Sequence, residues 1–332
     1  MRIVQLIHKN HQRHIAFVEE PNLRLINTFQ SVYLLAGQAI KKQINLKTLI
    51  QDFLSDTLIE YNSVYNQKSD WRLLCPIDHP DPRIVMVTGT GLTHKASAEN
   101  RQKMHEAQSN NEITDSIRMY QWGEEDGKPE KGKIGVQPEW FYKGNGSILK
   151  AHNEALILHN FADDGGEEPE IAGVYLNDQK GNPHRIGFVT GNEFSDHVME
   201  KKNYLYLAHS KIRTCSIGPE LVLTDSFSNI SGEVSIERNG KIIWKKDIKT
   251  GEENMAHSLE NLEYHHFKHP NHRLPHDVHV HFFGTGAFSF GDGLRLQEGD
   301  IMSVFWEGMG RKLKNPLKID QSSAQILEIK PL

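Results

Sequence analysis

In the run EEPEIAGVYLND, residues 167–178, Glu168 and Glu170 stand two positions apart inside what otherwise reads as a buried β-strand. Side chains at i and i+2 share a strand face about 7 Å apart, and two ionised carboxylates there repel unless a positive charge lies between them. A third carboxylate, Glu193, follows in GFVTGNEFSDH, after a Gly-Asn turn at the end of a second strand-like run. The three together would make an all-oxygen site suited to Mg²⁺ or Mn²⁺, hard cations that accept carboxylates and keep several waters. Solvent-facing strands also carry Glu at alternate positions, so the spacing alone leaves a surface reading open.

Other polar groups gather in short runs around this pair. YLAHSKIRTCSIGPEL sets Lys211 beside a small polar stretch that includes Cys215, and FFGTGAFSFG puts Thr285 in a glycine-rich turn whose backbone can approach a ligand closely. PEWFYKGNGS arranges Glu139, Lys143 and Ser147 around aromatics and a glycine turn. Asp196 and His197 follow the third carboxylate closely enough to orient it. The loudest run, EYHHFKHPNHRLPHDVHVHFFGTG, alternates His279 and His281 on a strand with His276 nearby. It lacks a Glu-x-x-His or Cys-x-x-Cys partner, so these imidazoles are expected to bond backbone or line the pocket rather than hold a second metal. Cys215 as a nucleophile would need an oriented histidine base, and His209 does not supply one. TGTGLTHKAS has neither the ending of a P-loop nor the spacing of a dinucleotide-binding turn.

The elements that must position these residues divide the chain of 332 residues in two. Residues 1–70 read as a small α+β domain: strand-like RIVQLI, HIAFVEE and LRLIN, then a helix from Ser31 with Val32, Leu35, Ala36, Ala39 and Ile40 on one face, and a second helix at LKTLIQDFL. CPIDHPDPR reads as a linker. Residues 71–332 turn β-rich after the strand IVMVTGTGL, a polar helix from Ser97 to His105 and a mobile charged loop, GEEDGKPEKGK. Asn239-Gly240 marks a hairpin, and Thr250 with Glu253 suggests a capping box opening a helix that carries Met255, Leu259 and Leu262. The expected class is α+β, β-rich.

Hydrophobic residues make up 37% of the chain, enough for a core, and a net charge of -5 with interspersed signs gives no basic face for nucleic acid. The longest apolar runs, SVYLLAG and IVMV, are too short to span a membrane, and MRIVQLIHKN lacks the pattern of a signal peptide. Two cysteines make no disulfide framework, and cytoplasm is the expected location.

The ordered series E-x-E, G-N-[DE]-x-S, S-K-x-x-x-C-x-x-G-P, an N-G hairpin, G-T, L-x-x-G-D and a late Asn315-Pro316 resembles the fumarylacetoacetate hydrolase superfamily over most of the chain after the linker. PEWFYK, EEPEIAG and AHSKIRTCSIGPEL are more similar to its sugar-acid branch, the 2-keto-3-deoxypentonate dehydratases, than to its hydrolases of aromatic catabolism. The resemblance implies a β-sandwich or roll of that superfamily's C-terminal domain kind with helices outside. It also implies Mg²⁺ (or Mn²⁺), a homodimer or larger homo-oligomer, and a 2-oxo acid substrate. It places the metal ligands at Glu168, Glu170 and Glu193, the last departing from the aspartate usual there. Hydrolases of the superfamily carry a water-activating His-x-x-Glu on their lid. Ser97 and Asn100 stand in those places here, with His94 and Glu99 the nearby substitutes, and loss of that pair favours elimination over hydrolysis.

For dehydration of a 2-keto-3-deoxy sugar acid, a cation on the carboxylate and keto oxygen acidifies the C3 protons, and an acid and a base must move protons. Glu139 and Lys211 are the expected pair. Lys143, Ser147, Thr285 and Cys215 are the expected substrate contacts. Each also has a plain reading: Lys211 as counter-ion to the glutamates, Glu139 on the surface, Lys143 in a solvated loop, Thr285 satisfying a turn. The alternatives are a hydrolase cleaving the C–C bond of a 2,4-diketo acid, and a non-catalytic protein that binds a 2-oxo acid.

Overall fold

Alternating burial along the first strands, β1 (Arg2–His8), β2 (Arg13–Glu19) and β3 (Asn22–Ile26), follows the period of two that a half-buried sheet requires. The structure, a computed structural model, describes residues 1–105 and 114–332. Ser31 caps α1 (Val32–Lys42) by accepting a hydrogen bond from the Leu34 amide, and Val32, Leu35, Ala36 and Ala39 bury the face that the spacing predicts. Asn45 caps α2 (Leu46–Asp52) in the same way. β4 (Leu54–Glu60), α3 (Tyr61–Tyr65) and the short β5 (Trp71–Leu73) complete this segment.

Beyond the proline-rich stretch come β6 (Val85–Gly89), α4 (Lys95–His105), α5 (Asp115–Asp126), β7 (Phe141–Asn145), β8 (Leu149–Lys150) and β9 (Leu156–Leu158). The charged loop expected at GEEDGKPEKGK is shorter than its composition suggests. Its first four residues close α5, and the Val136 amide bonds the Asp126 carbonyl at 2.9 Å. Next are β10 (Pro169–Asn177), β11 (Pro183–Asn192), α6 (His197–Lys202), α7 (Leu207–Lys211), β12 (Cys215–Val222), β13 (Ile230–Arg238) and β14 (Lys241–Thr250). Asn239 and Gly240 take positive φ between β13 and β14, as a tight hairpin requires. Thr250 does not cap a helix: it ends β14, and α8 (Leu259–Phe267) is capped by Ser258. Met255, Leu259 and Leu262 nevertheless pack together in the core. β15 (Val278–Phe282), β16 (Ile301–Trp306) and β17 (Leu313–Ile319) finish the fold.

The order β4-β3-β2-β1-β12-β11-β10-β15-β6-β7 forms the larger sheet, with β5 beside β1 and β8 beside β12, and β14-β13-β16-β17-β9 forms the smaller. β1 joins the main sheet by pairing Arg2 with Val222 and Ile3 with Leu221, so the strands of the first sixty residues extend it. Ile171, Phe188, Val234, Val304 and Trp306 fill the space between the sheets. α1 and α2 cover Ala172, Val174, Ile217, Val280 and Phe282 on the opposite face of the larger one. The result is the β-rich α+β architecture the pattern implied. Among the described residues no helix is long and apolar enough to cross a membrane.

Candidate active site

Antiparallel pairing of β10 with β11 brings the acidic residues together. Pro169 pairs with Asn192 and Glu170 with Gly191, so Gly191 and Asn192 end the strand rather than forming a turn. Beyond the ladder, the Glu193 amide donates to the Glu168 carbonyl at 2.9 Å, and Asn192 Oδ1 accepts the Glu168 amide at 3.1 Å. One carboxylate oxygen from each of Glu168, Glu170 and Glu193 then lies within 4.8 Å of the others, and all three side chains are buried. Ala172 and Val174, on the Glu170 face of β10, belong to the apolar core.

Two lysines meet this cluster. Lys211, at the end of α7, donates to Glu168 Oε1 at 2.7 Å and Glu193 Oε2 at 2.6 Å, with the Phe141 ring 4.8 Å from its ammonium. Lys143, from β7, donates to the Glu193 carboxylate and to the carbonyls of Phe194 (3.0 Å) and Lys211 (2.8 Å). The positive charge that the paired glutamates required is therefore present, but it bridges Glu168 and Glu193 rather than Glu168 and Glu170. Among the described residues the Glu170 carboxylate accepts only the Gly284 amide, at 2.7 Å on Oε2.

Protonation follows from this unequal sharing. Burial opposes ionisation of Glu168, but Lys211 and His197 outweigh it and hold the carboxyl well below its usual range. Burial, then Glu193 and Glu168, push Glu170 well above it. Burial and Glu168 raise Glu193 to about 7 against the pull of the two lysines. Burial works against the Lys211 ammonium, yet Glu168 and Glu193 raise its pKa. With all three carboxylates ionised, the two ammonium groups leave the cluster one negative charge in excess, a donor set that fits a divalent cation; with Glu170 protonated, as in the metal-free protein near neutrality, the charges balance.

Glu139 lies on the same side. Along the strand Glu139, Phe141 and Lys143 turn inward while Trp140 and Tyr142 face out. Its carboxylate is gripped by the buried Arg101 of α4 at 2.8 and 3.0 Å and accepts the Tyr204 hydroxyl at 3.0 Å. Arg101 also reaches Glu200 of α6 at 2.7 Å, tying α4 to α6 through one guanidinium. Gly91 permits this approach, because a Cβ there would lie 1.8 Å from Glu139 Oε2. A cleft of about 500 Å³ opens beside the site between α4, α6 and the 290–295 loop, lined by Asn100, Asp164, Lys201, Phe290 and Arg295.

The remaining expected residues fall in different places. Lys143 is fully buried with its protons turned to Glu193 and main-chain carbonyls, so it orients a carboxylate and has no donor turned to a substrate; the solvated-loop reading fails with it. Ser147 is exposed past the far end of β7 and donates to Asn145 at 2.7 Å, which removes it from any substrate. Cys215 is buried in the apolar core, and burial pushes its thiol up to about 12, which leaves no reactive thiolate. Thr285 stands next to Gly284 but bonds Ala287 within its own turn at 3.0 Å. His94 is buried with its two nitrogens on Thr93 (2.9 Å) and Thr250 (3.2 Å), and Glu99 is exposed beside Lys95, so the two form no water-activating pair. His281 bonds Thr88 and Thr90 at 2.7 and 2.8 Å, His279 bonds His266 at 3.0 Å, and His276 is exposed. His197 meets the cluster, though at Glu168 (3.0 Å) rather than at Glu193, and the Asp196 carboxylate accepts from Arg213 at 2.8 Å rather than meeting a cluster carboxylate.

Sequence reasoning missed Arg101, Tyr204 and Glu200. A lone arginine in a polar helix carries no signal of its own, and Tyr204 reads first as a packing residue.

No family model matches the chain. A protein of Haloferax volcanii described as a probable 2-keto-3-deoxyxylonate dehydratase is 29% identical over 179 residues, 52% of this chain and 58% of the relative. The match thus spans little more than half of that relative's length. A structure of 2-keto-3-deoxyarabinonate dehydratase aligns with TM-score 0.72 and 17% identity, over 97% of this chain and 100% of the other. A further structure, of 2-keto-3-deoxy-D-arabinonate dehydratase complexed with magnesium and 2,5-dioxopentanoate, aligns over the same shares with TM-score 0.71 and 17% identity. The chain shares the fold of these dehydratase structures.

Proposed function

We propose that this chain is a divalent-metal-dependent dehydratase of a 2-keto-3-deoxy sugar acid, a pentonate, giving 2,5-dioxopentanoate and water. The observation that carries the reading is the buried Glu168, Glu170 and Glu193 cluster with its one excess negative charge. These three would hold Mg²⁺ (or Mn²⁺), which supplies a Lewis acid for the carboxylate and keto oxygen of a 2-oxo acid. A divalent charge there leaves one positive charge over, which suits a substrate with a single carboxylate.

Proton movement falls to the chain itself. Lys211 holds its proton between two carboxylates and serves as the acid; Glu139, fixed by Arg101 and Tyr204, serves as the base. A proton leaves C3 and the C4 hydroxyl departs as water with a proton from the acid. The C3–C4 alkene then loses a proton at C5 and gains one at C3, and the resulting C4–C5 enol gives up its hydroxyl proton and takes one at C4, giving the semialdehyde. Thr285, beside Gly284 at the rim of the cluster, stays the candidate contact for the substrate.

Hydrolysis of a 2,4-diketo acid needs an activated water, and the separation of His94 from Glu99 removes the pair that would supply it. A purely binding role would leave the buried Lys211 and Glu139 without a purpose. The proposal includes a cytoplasmic homodimer or larger homo-oligomer, which the exposed Ile242 and Ile243 on the edge strand β14 support and sedimentation would test. The deciding assay incubates the purified protein and Mg²⁺ with 2-keto-3-deoxypentonates and with a 2,4-diketo acid. Semialdehyde from the former is expected; pyruvate alone, from the latter, would overturn the assignment.

A further inference from the structure

His197 is nearly inaccessible and opens α6 directly after the third carboxylate. Its Nε2 meets Glu168 Oε1 at 3.0 Å, the same oxygen that Lys211 contacts at 2.7 Å. Its Nδ1 is buried and has no hydrogen-bond partner among the described residues. That nitrogen lies against Gly166, where a Cβ would come within 2.6 Å of it. The imidazole plane is set by stacking on Phe288, with centroids 4.7 Å apart and planes 11° apart, and on Phe290, at 5.2 Å and 25°. Phe290 also lines the cleft beside the site.

A ring held for structural reasons alone would be expected to satisfy both nitrogens, because a buried polar atom without a partner costs about 1–3 kcal/mol. Here one nitrogen is given up so that the other points at a carboxylate oxygen. Stacking on two phenylalanines fixes the plane of the ring. The Glu168 carboxylate is held by Lys211 and His197 alone among the described residues, both on Oε1.

We propose that His197 is a positioning residue for Glu168, its Nε2–H pinning Oε1 so that Oε2 is presented to a divalent cation, with Phe288 and Phe290 clamping the imidazole in that attitude. The inference rests on the metal-site reading above. Removing such a hydrogen bond behind a metal-ligating carboxylate lowers metal affinity about 10–100-fold.

The test is titration of the metal-free protein with Mn²⁺ by calorimetry, alongside its melting temperature without metal. Wild type must bind first: no Mn²⁺ uptake by wild type would sink the metal site itself, and this inference with it. Given uptake, His197→Phe keeps a stacking ring and loses the donor. It should weaken Mn²⁺ binding about 10–100-fold without lowering the metal-free melting temperature, and His197→Gln, which restores an N–H at similar reach, should recover most of the loss. His197→Phe with wild-type affinity overturns the inference and leaves the metal site standing. Should His197→Phe lack a cooperative melt, Phe290→Leu decides: it leaves the imidazole in place but unclamped. Several-fold weaker binding with an unchanged melt supports the clamp, and unchanged binding overturns it.

Discussion

Replacing Glu170 with Gln separates the cost of the acidic cluster from its use. Glu170 is the member that no lysine reaches, and its Oε2 accepts the Gly284 amide at 2.7 Å. A glutamine carbonyl can accept that bond, and the amide matches a protonated carboxyl in shape. Two unit charges at the 4.8 Å limit that bounds these carboxylate oxygens repel by about 3 kcal/mol at an effective dielectric near 20. Burial and the neighbouring glutamates raise the Glu170 pKa well above its ordinary value, so in the metal-free protein it keeps its proton near neutrality. A raised carboxyl pKa contributes stability that is lost as pH rises from the unfolded pKa through the folded one. Glu170→Gln should therefore already exceed wild type at pH 6 without metal, where the unfolded carboxyl is ionised and the folded one is not, and exceed it at pH 9 by up to about 3 kcal/mol. With metal the gain goes to wild type alone: it rises by about 2.7 kcal/mol at a cation concentration a hundred times its Kd, and the variant should gain almost nothing. Urea unfolding at the two pH values, with and without MgCl₂, reads all four quantities. A variant that keeps the metal-induced gain, or that is destabilised at both pH values without metal, would refute the ligand assignment.

Metal affinity should rise with pH across neutrality, because Glu193, raised to about 7, and Glu170, raised well above its usual range, must shed protons before a cation binds; a flat Mn²⁺ affinity from pH 6 to 8 would contradict this. Lys143→Met should destabilise the fold by about 3–5 kcal/mol, the usual result of breaking a buried ion pair, whereas a substrate contact would raise KM and leave the melting temperature alone. Glu139→Gln should cut kcat about 10²–10⁴-fold with Mn²⁺ affinity unchanged by calorimetry, since Glu139 is not among the three carboxylates that converge. Ser147→Ala should leave kcat/KM unchanged in the semialdehyde assay, its hydroxyl being occupied by Asn145 on the exposed side.

The acidic triad was legible only in part: period-two spacing suggests one face for Glu168 and Glu170 but leaves a surface reading open, and the family resemblance set Glu193 with them, from a strand end at Gly191-Asn192 that reads as a turn. α1 was equally legible, since its cap and its apolar face lie within eleven residues of one another. What periodicity cannot tell is what a face meets. Lys143 and Glu193 are 50 positions apart, and nothing near Lys143 distinguishes a solvated lysine from one buried by β7 crossing the end of the sheet. Arg101 lies 38 positions from Glu139 in a polar helix that reads as surface. The misplaced start of α8 has a local cause: Thr250 and Ser258 are both acceptable caps, and the pairing of Thr250 with Ile230 in the hairpin decides between them.

Burying five ionisable groups in one place is costly unless they neutralise one another. Here three elements divide that task. β7 brings Lys143 under Glu193, α7 ends on Lys211 between Glu168 and Glu193, and α6 opens with His197 on Glu168. Glu170 alone is left to an amide donor, and an amide carries no full charge. The cluster is thereby close enough to balance for the chain to fold around it, yet short of balance at the one carboxylate that no basic side chain covers. A divalent cation held there would complete a charge pattern that the sheet has already assembled.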